Sequence, residues 1–226
     1  MSSALTIFAK APIVGQVKTR LCPPLSPEEA KELYQCFLLD TVARASRLPD
    51  VQVCLAFTPA ESEELLRAFL PGSLLYFPQR GNSLGEREAN VFVDLLQRGF
   101  SRVVLIGGDI PTLPFFHLQE AFSRLTDPRT DVVLGPSEDG GYYLIGARKL
   151  HPCLFEDIAW STATVLVETL AQARRHGLNV AQVPVWYDVD SEVDLARLAV
   201  ELHNQSARRN APATGAFLEQ LLLRVE

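Results

Sequence analysis

Positively charged residues are concentrated in a loop near the beginning of the sequence. The apolar run at residues 5–9 predicts a buried strand, and no Asp or Glu occurs before residue 28. Glycine lets the backbone approach a ligand closely, and Lys and Arg donate hydrogen bonds to phosphate oxygens. The loop therefore indicates a site for a phosphate-bearing ligand, the alternative being a basic solvent-exposed loop. Its candidate residues are Lys10, Gly15, Lys18 and Arg20.

Aspartates at the boundaries of predicted elements are candidate metal ligands. Asp109 follows a predicted strand and two glycines, and Asp188 and Asp190 precede a predicted helix. Carboxylate and phosphate oxygens are the ligands that Mg²⁺ and Mn²⁺ prefer. If Asp109 and Asp190 approach one cation, they form the divalent site of a nucleotidyl or glycosyl transferase. The alternatives are structural: Asp109 would satisfy backbone groups of its turn, and Asp190 would cap the next helix.

Predicted strands alternate with amphipathic helices along the chain, which indicates an α/β fold with a mostly parallel sheet covered on both faces. A hairpin around Asp139 would add an antiparallel strand, so the sheet is expected to be mixed. Ser26, Ser83 and Ser161 are expected to cap helices, and a final helix is expected at residues 216–225. One domain, residues 1–226, is the simplest organisation. The strands are predicted at residues 5–9, 51–57, 74–77, 102–106, 131–134, 142–147 and 180–185.

Ligands of open α/β sheets bind beyond the carboxyl ends of the strands. Polar loops follow four predicted strands and are expected to meet there, with the hairpin loop at 136–141 beside them. This convergence predicts one ligand cleft. The four loops are residues 10–20, 79–86, 107–112 and 187–194.

Composition and missing motifs exclude several classes of protein. A formal net charge of −6 argues against a nucleic-acid-binding surface, and no apolar run approaches the length of a membrane span. Four cysteines without metal-type spacing and the lack of a signal-peptide pattern favour a cytoplasmic protein. The sequence lacks a P-loop, a GxGxxG after the first strand and a Ser nucleophile elbow. It does not predict an oligomeric state.

Six motifs, taken in order, resemble a bacterial glycosyltransferase-A-like family related to the phospholactate and molybdopterin guanylyltransferases. The resemblance extends over almost the whole chain. One departure is that relatives have Gly-Asp-Leu-Gly where this chain has Asn82-Ser83-Leu84-Gly85, which indicates a different choice of substrate. The motifs are FAKAPIVGQVKTRL, QRGNSLGER, GGDIPTL, GPSEDGGYYLIG, WST and YDVDSEVDL.

The resemblance implies the nucleotide-diphospho-sugar transferase fold, a Rossmann-like three-layer sandwich with one cleft. It implies catalytic roles for Lys18, Arg20 and Asp109, and metal binding by Asp109 and Asp190. It places the acceptor or sugar beside Asp139, Gly140, Gly141 and Trp160. The nucleotide and its phosphates would bind to Lys10, Ala11, Pro12, Gly15, Lys18, Arg20, Gln79, Gly107 and Gly108.

The expected activity is transfer from a nucleotide-diphospho-sugar with Mg²⁺ or Mn²⁺ as cofactor. One alternative is a guanylyltransferase-like nucleotidyltransferase that forms a nucleoside-diphosphate-linked product from a nucleoside triphosphate. Another is a non-catalytic nucleotide-binding regulator. The expected partner in each case is a nucleotide or nucleotide-sugar, with no nucleic acid and no membrane span.

Overall fold

The computed structural model describes residues 2–223, apart from the side chain of Leu222. Its described residues form a seven-stranded sheet in the order β3-β2-β1-β4-β6-β5-β7, with helices on both faces. All seven predicted strands are present, with small shifts at their ends. The strands are β1 Ser3–Lys10, β2 Val51–Thr58, β3 Leu75–Pro78, β4 Arg102–Gly107, β5 Val132–Pro136, β6 Tyr142–Ala147 and β7 Val180–Gln182.

Helices connect most of the strands and also form the C-terminal part of the chain. The predicted final helix ends at Leu222, and Val225 lies outside the described residues. Among residues 2–223, no helix is long and apolar enough to cross a membrane. The helices are α1 Pro27–Ala45, α2 Glu63–Arg67, α3 Leu84–Gln97, α4 Phe115–Arg124, α5 Val165–Arg175, α6 Glu192–Glu201, α7 Gln205–Asn210 and α8 Pro212–Leu222.

The sheet is mostly parallel and mixed, as the sequence predicts. Strand β1 pairs in parallel with β2 and β4, whereas β6 is antiparallel to both β4 and β5. The reversal follows from the short turn at residues 137–141, which is too short for the crossover that two parallel neighbours require. The carboxyl ends of β1, β2, β3 and β4 therefore share one edge of the sheet with the start of β6.

Alternating side chains of the central strands feed two separate apolar cores. In β1, Leu5 and Ile7 pack with α1, α4, α6 and α8, whereas Ala4 packs on the opposite face with α3 and α5. This alternation explains why nearly continuous apolar strands occur in the sequence, since both faces of the sheet are covered.

Two helix caps follow the prediction and one does not. Ser26 forms a complete capping box with Glu29, and the hydroxyl of Ser83 accepts from the backbone of Glu86. The predicted cap at Ser161 is wrong, because α5 begins later and follows Thr164. Ser161 has a φ of 64°, outside the extended conformation that an N-cap residue normally adopts.

A buried arginine joins α1 to the loop that follows β4. The Arg44 side chain, only 2% exposed, donates hydrogen bonds to the carbonyl oxygens of Pro111 and Ile110, the latter at 2.8 Å. Asp40, one turn earlier in α1, accepts hydrogen bonds from the hydroxyl and backbone N–H of Thr214. These two α1 side chains therefore fix the loop next to Asp109 and the start of α8.

We expect Arg44→Met to lower the free energy of unfolding by about 3 kcal/mol, because two buried carbonyls lose their donor and a buried charge is removed beside Asp40. Urea unfolding measures the change. The exposed Arg175 at the end of α5 provides the matched control, since Arg175→Met should stay within about 0.5 kcal/mol of the original. Equal stability of the two variants would contradict the role of Arg44.

Candidate functional site

A cleft of about 770 Å³ opens at the carboxyl edge of the sheet, where the sequence predicts it. Its walls come from the loops after β1, β3 and β4, the turn between β5 and β6, and the segment before α6. A further segment, residues 160–163, closes one side. The cleft is large enough for a nucleotide-sized ligand.

Most predicted site residues line this cleft. Ala11 and Pro12 are buried, and Gly15 lies on the exposed part of the loop after β1. Gly140 lies in the turn between β5 and β6 but does not line the cleft. These four residues are not brought to the cleft surface. The predicted residues that line it are Lys10, Lys18, Arg20, Gln79, Gly107, Gly108, Asp109, Asp139, Gly141, Trp160 and Asp190.

The ammonium group of Lys18 lies between two predicted metal ligands. Its Nζ atom is 2.9 Å from Oδ2 of Asp109 and 2.6 Å from Oδ1 of Asp190, and its side chain is only 6% exposed. Arg20 donates to the other oxygen of Asp190, but its own side chain is 72% exposed. The buried lysine thus holds the two carboxylates together, whereas the arginine remains accessible from the cleft.

Local backbone geometry and an aromatic ring place Lys18. The residue adopts a left-handed conformation, with φ 48° and ψ 37°, at the start of a short 3-10 turn. Its Nζ atom lies 5.9 Å from the centre of the Tyr34 ring, and the Tyr34 hydroxyl accepts a hydrogen bond from the backbone of Lys10. Tyr34 of α1 therefore contacts the cationic loop at both Lys10 and Lys18 and helps to fix its position.

A third carboxylate, Asp188, joins Asp109 and Asp190. One carboxylate oxygen from each of the three lies within 4.8 Å of the others. The hydroxyl of Ser137 donates to Asp188 at 3.0 Å, and the backbone of Val189 donates to the carbonyl of Asp109 at 3.0 Å. The sequence analysis noted Asp188 before the predicted helix but selected only Asp109 and Asp190 as the pair that binds one cation. The spacing of Asp188 from Asp190 was the available signal, because residues i and i+2 of an extended segment point the same way.

Asp190 does not cap α6. Ser191 occupies the cap position and forms a capping box with Asp194. The cap alternative for Asp190 is therefore wrong, and its side chain is left for Lys18 and Arg20.

Asp188, Asp190 and Lys18 differ in how strongly they hold their protons. Burial and the charges of Asp109, Asp190 and Asp139 raise the pKa of Asp188 to about 6. Burial alone would raise the pKa of Asp190, but Lys18 and Arg20 outweigh it and hold that pKa below its usual value. Burial alone would lower the pKa of Lys18, yet the two carboxylates raise it, so the lysine stays protonated.

Glycines at the end of β4 and in the β5–β6 turn make close contacts, and the turn glycine is required by a backbone contact. A Cβ atom on Gly107 would lie 2.8 Å from Oδ1 of Asp109, so the carboxylate folds back over that backbone. A Cβ atom on Gly140 would lie 2.1 Å from the carbonyl oxygen of Ala163. Asp139 accepts from the backbone of Gly141, which is the turn role that its spacing favours.

Gln79 is engaged with the backbone of the strands. Its side-chain amide donates to the carbonyl of Ala56 at 2.8 Å and, more weakly, to that of Ala9 at 3.3 Å. Its donors are therefore used to join β1 and β2 at the floor of the cleft.

A buried carboxyl, Glu88 of α3, also lines the cleft. It lies in the second turn of α3, is 7% exposed, and accepts a 2.6 Å hydrogen bond from the hydroxyl of Tyr142. Burial raises the pKa of Glu88 to about 7, although the Tyr142 hydrogen bond opposes the shift. The sequence analysis gave no role to Glu88, because a single Glu in an amphipathic helix resembles a surface residue.

The raised pKa of Glu88 predicts a specific dependence of stability on pH. Between its ordinary value of 4.5 and about 7, the carboxyl ionises in the unfolded chain and stays protonated in the folded protein. Its contribution to the free energy of unfolding should therefore fall by about 3 kcal/mol across that range. Urea unfolding at several pH values, compared with Glu88→Gln, isolates this contribution.

The exposed Glu64 of α2 gives the control, since Glu64→Gln should show the same pH dependence as the unsubstituted protein. A Glu88→Gln profile parallel to that of the control would contradict the buried, protonated state of Glu88.

Comparison with known proteins confirms the expected fold. A solved structure of a candidate nucleotide-diphospho-sugar transferase from Desulfovibrio desulfuricans G20 superposes with a TM-score of 0.90 at 36% identity, covering 97% of this chain and 95% of that one. The 4-diphosphocytidyl-2C-methyl-D-erythritol synthase of Anaerococcus prevotii DSM 20548 shares the fold at 11% identity, with a TM-score of 0.61 and coverage of 90% and 97%.

A relative of described activity and a family model match as well. The 2-phospho-L-lactate guanylyltransferase of Methanothermobacter thermautotrophicus strain Delta H is 27% identical over 199 residues, which cover 84% of this chain and 82% of that protein. The model of DUF2064, described as an uncharacterized protein conserved in bacteria, matches residues 41–162, more than half of the chain. These matches agree with the resemblance indicated by the six motifs, and the chain belongs to the DUF2064 family.

Proposed function

We propose that this protein is a transferase that uses a nucleotide-diphospho-sugar and Mg²⁺ or Mn²⁺. The observation that carries the proposal is the meeting of Asp109, Asp188 and Asp190 with Lys18 and Arg20 in one cleft. A diphosphate is stabilised by cations near its oxygens, and a cluster of carboxylates can bind a divalent cation there. The 36% identical candidate nucleotide-diphospho-sugar transferase supports the same reading.

The donor set fits a hard divalent cation. Asp109, Asp188 and Asp190 offer three carboxylate oxygens within 4.8 Å of one another, and all three residues are partly buried. Oxygen ligands of this kind suit Mg²⁺ and Mn²⁺ better than softer metals. When bound there, the cation would offset the negative charge on the phosphate oxygens.

The protein's own cations divide the remaining work. The exposed Arg20 guanidinium is free to donate to diphosphate oxygens while it also contacts Asp190. The buried Lys18 acts on the carboxylates, because both of its close contacts are to Asp109 and Asp190. This division assigns phosphate binding to Arg20 and positioning to Lys18.

The proposed reaction places charge where these groups lie. An acceptor oxygen forms a bond to the anomeric carbon and loses its proton to solvent water, and the bond from that carbon to the diphosphate oxygen breaks. The electron pair leaves with the nucleoside diphosphate, whose growing charge is stabilised by the cationic end of the cleft.

Nucleotidyl transfer is a second candidate, favoured by the similarity to the archaeal guanylyltransferase. In that reaction an acceptor oxygen attacks the α-phosphorus of a nucleoside triphosphate and pyrophosphate leaves. Both reactions build charge on phosphate oxygens, so the carboxylates and Arg20 would serve either one. The choice depends on the ligand that fills the rest of the cleft.

We expect Asp109→Asn to weaken metal-dependent nucleotide binding at least tenfold, about 1.4 kcal/mol, because the cation loses a charged ligand. Thermal shifts and calorimetric titration with nucleoside diphosphates, triphosphates and nucleotide-sugars, each with and without Mg²⁺ or Mn²⁺, measure the effect. Glu64→Gln, on the exposed surface of α2, removes a carboxylate elsewhere and should bind like the unsubstituted protein.

The ligand series separates the candidates. Metal-dependent stabilisation by nucleotide-sugars supports the proposed transfer, and a larger effect of one triphosphate supports nucleotidyl transfer. If nucleotide affinity is the same with and without metal, and the same in Asp109→Asn, the protein is a non-catalytic nucleotide-binding protein and the proposal is contradicted. Failure of every nucleotide to bind would also contradict it.

A further inference from the structure

The carboxyl of Glu88 has one oxygen engaged and one left for a ligand. Oε2 accepts from the hydroxyl of Tyr142 at 2.6 Å, whereas Oε1 has no hydrogen bond to any residue in 2–223. Glu88 lines the cleft, so that second oxygen is accessible from the cleft side. No Lys, Arg or His of the described residues pairs with this carboxyl, although the residue is 7% exposed.

This arrangement is costly for a merely structural residue. Burying a carboxyl with a single hydrogen bond and no cation opposes folding. A glutamine would keep the bond from Tyr142 without that cost. Above about pH 7 this carboxyl ionises in the folded protein, and its second oxygen can then accept hydrogen bonds from a ligand, which the amide nitrogen of a glutamine cannot do.

An aromatic surface lies beside the pair. Trp160 meets Tyr142 edge to face, with ring centres 6.4 Å apart and planes at 84°. The indole ring also lies against Gly85, where a Cβ atom would be 2.3 Å from its Cζ2 atom. Gly85 of α3 and the segment that carries Trp160 are thereby packed together at the cleft wall.

Glu88 and Tyr142 are separated from the phosphate end of the cleft by strand β4. Tyr142 begins β6, whereas Lys18 and Arg20 follow β1, and β4 lies between those two strands. Asp139 and Asp188 line the β6 side as well, so a second anionic group is disfavoured there. A neutral group with several hydroxyls matches a carboxylate acceptor, a phenol and an aromatic face.

We propose that Glu88 and Tyr142, with Trp160 beside them, bind hydroxyl groups of the sugar part of a nucleotide-diphospho-sugar. The inference rests on the proposed function and names residues that select its substrate. Glu88 accepts from the sugar hydroxyls, Tyr142 orients Glu88, and Trp160 packs against the sugar ring. A second phosphate or carboxylate is disfavoured at this end, because Asp139 and Asp188 lie beside it.

The test separates sugar binding from nucleotide binding. Calorimetric titration in Mg²⁺ at about pH 8, where Glu88 is mostly ionised in the folded protein, compares UDP with UDP-glucose and GDP with GDP-mannose, for the unsubstituted protein and for Glu88→Gln. Gln keeps the bond from Tyr142 and turns a donor toward the cleft. We expect at least one nucleotide-sugar to bind more tightly than its diphosphate, and Glu88→Gln to weaken that nucleotide-sugar about tenfold. The diphosphate should change less than twofold.

Two further variants guard against a trivial loss of folding. Tyr142→Phe retains the ring and should cause a smaller loss that is again confined to the nucleotide-sugar. Glu64→Gln should leave every affinity unchanged. Melting temperatures taken without ligand confirm that each variant is folded.

Each contrary result has its own meaning. An equal loss for diphosphate and nucleotide-sugar, or a change in the preference between GDP and UDP, would overturn the inference because Glu88 would then act on the nucleotide. Equal affinity of the unsubstituted protein for each diphosphate and its sugar would overturn it too. If neither class binds, the proposed function fails and the sugar assignment falls with it.

Discussion

The ion pairs of Lys18 are the interaction on which the cleft depends. Its buried ammonium joins Asp109 at the end of β4 to Asp190 before α6, residues that are 91 and 172 positions away in the sequence. A buried charge is tolerated only while its partners stay in place, since an unpaired one costs several kcal/mol. The loop after β1, the end of β4 and the segment before α6 must therefore keep one arrangement. Arg44 supports it from behind by holding the carbonyls after Asp109.

The two ends of the cleft differ in chemistry, and the difference follows from the sheet. The β1 end combines cations with carboxylates, which suits a diphosphate and a divalent ion. The β6 end has the buried Glu88, the Tyr142 hydroxyl and the Trp160 ring. Among the described residues, no Lys, Arg or His pairs with the Glu88 carboxyl. Because β4 separates these ends by one strand, a single extended ligand can meet both. A charged group at one end and a neutral group at the other is the pattern of a nucleotide-sugar.

Much of the fold could be predicted from the sequence because its signals are local. Seven apolar segments between amphipathic helices predict the strands, and the turn at Asp139 predicts the antiparallel β6. The capping boxes of Ser26 and Ser191 are encoded within four residues, although only the first was predicted. Ser161 was predicted wrongly because a serine before an apolar run does not fix its own backbone conformation.

The sequence by itself determined the seven strands and the mixed sheet, and it selected Asp109 and Asp190 as acidic candidates. Only the tertiary structure decided that Asp188 lies beside them, that Lys18 forms ion pairs with both carboxylates, and that Glu88 is buried beside Tyr142. The reason is physical: strand and helix signals repeat every two to four residues, whereas a site forms between residues far apart in the chain. Which side chains meet across strand β4 depends on strand order and register, and no local pattern specifies these contacts.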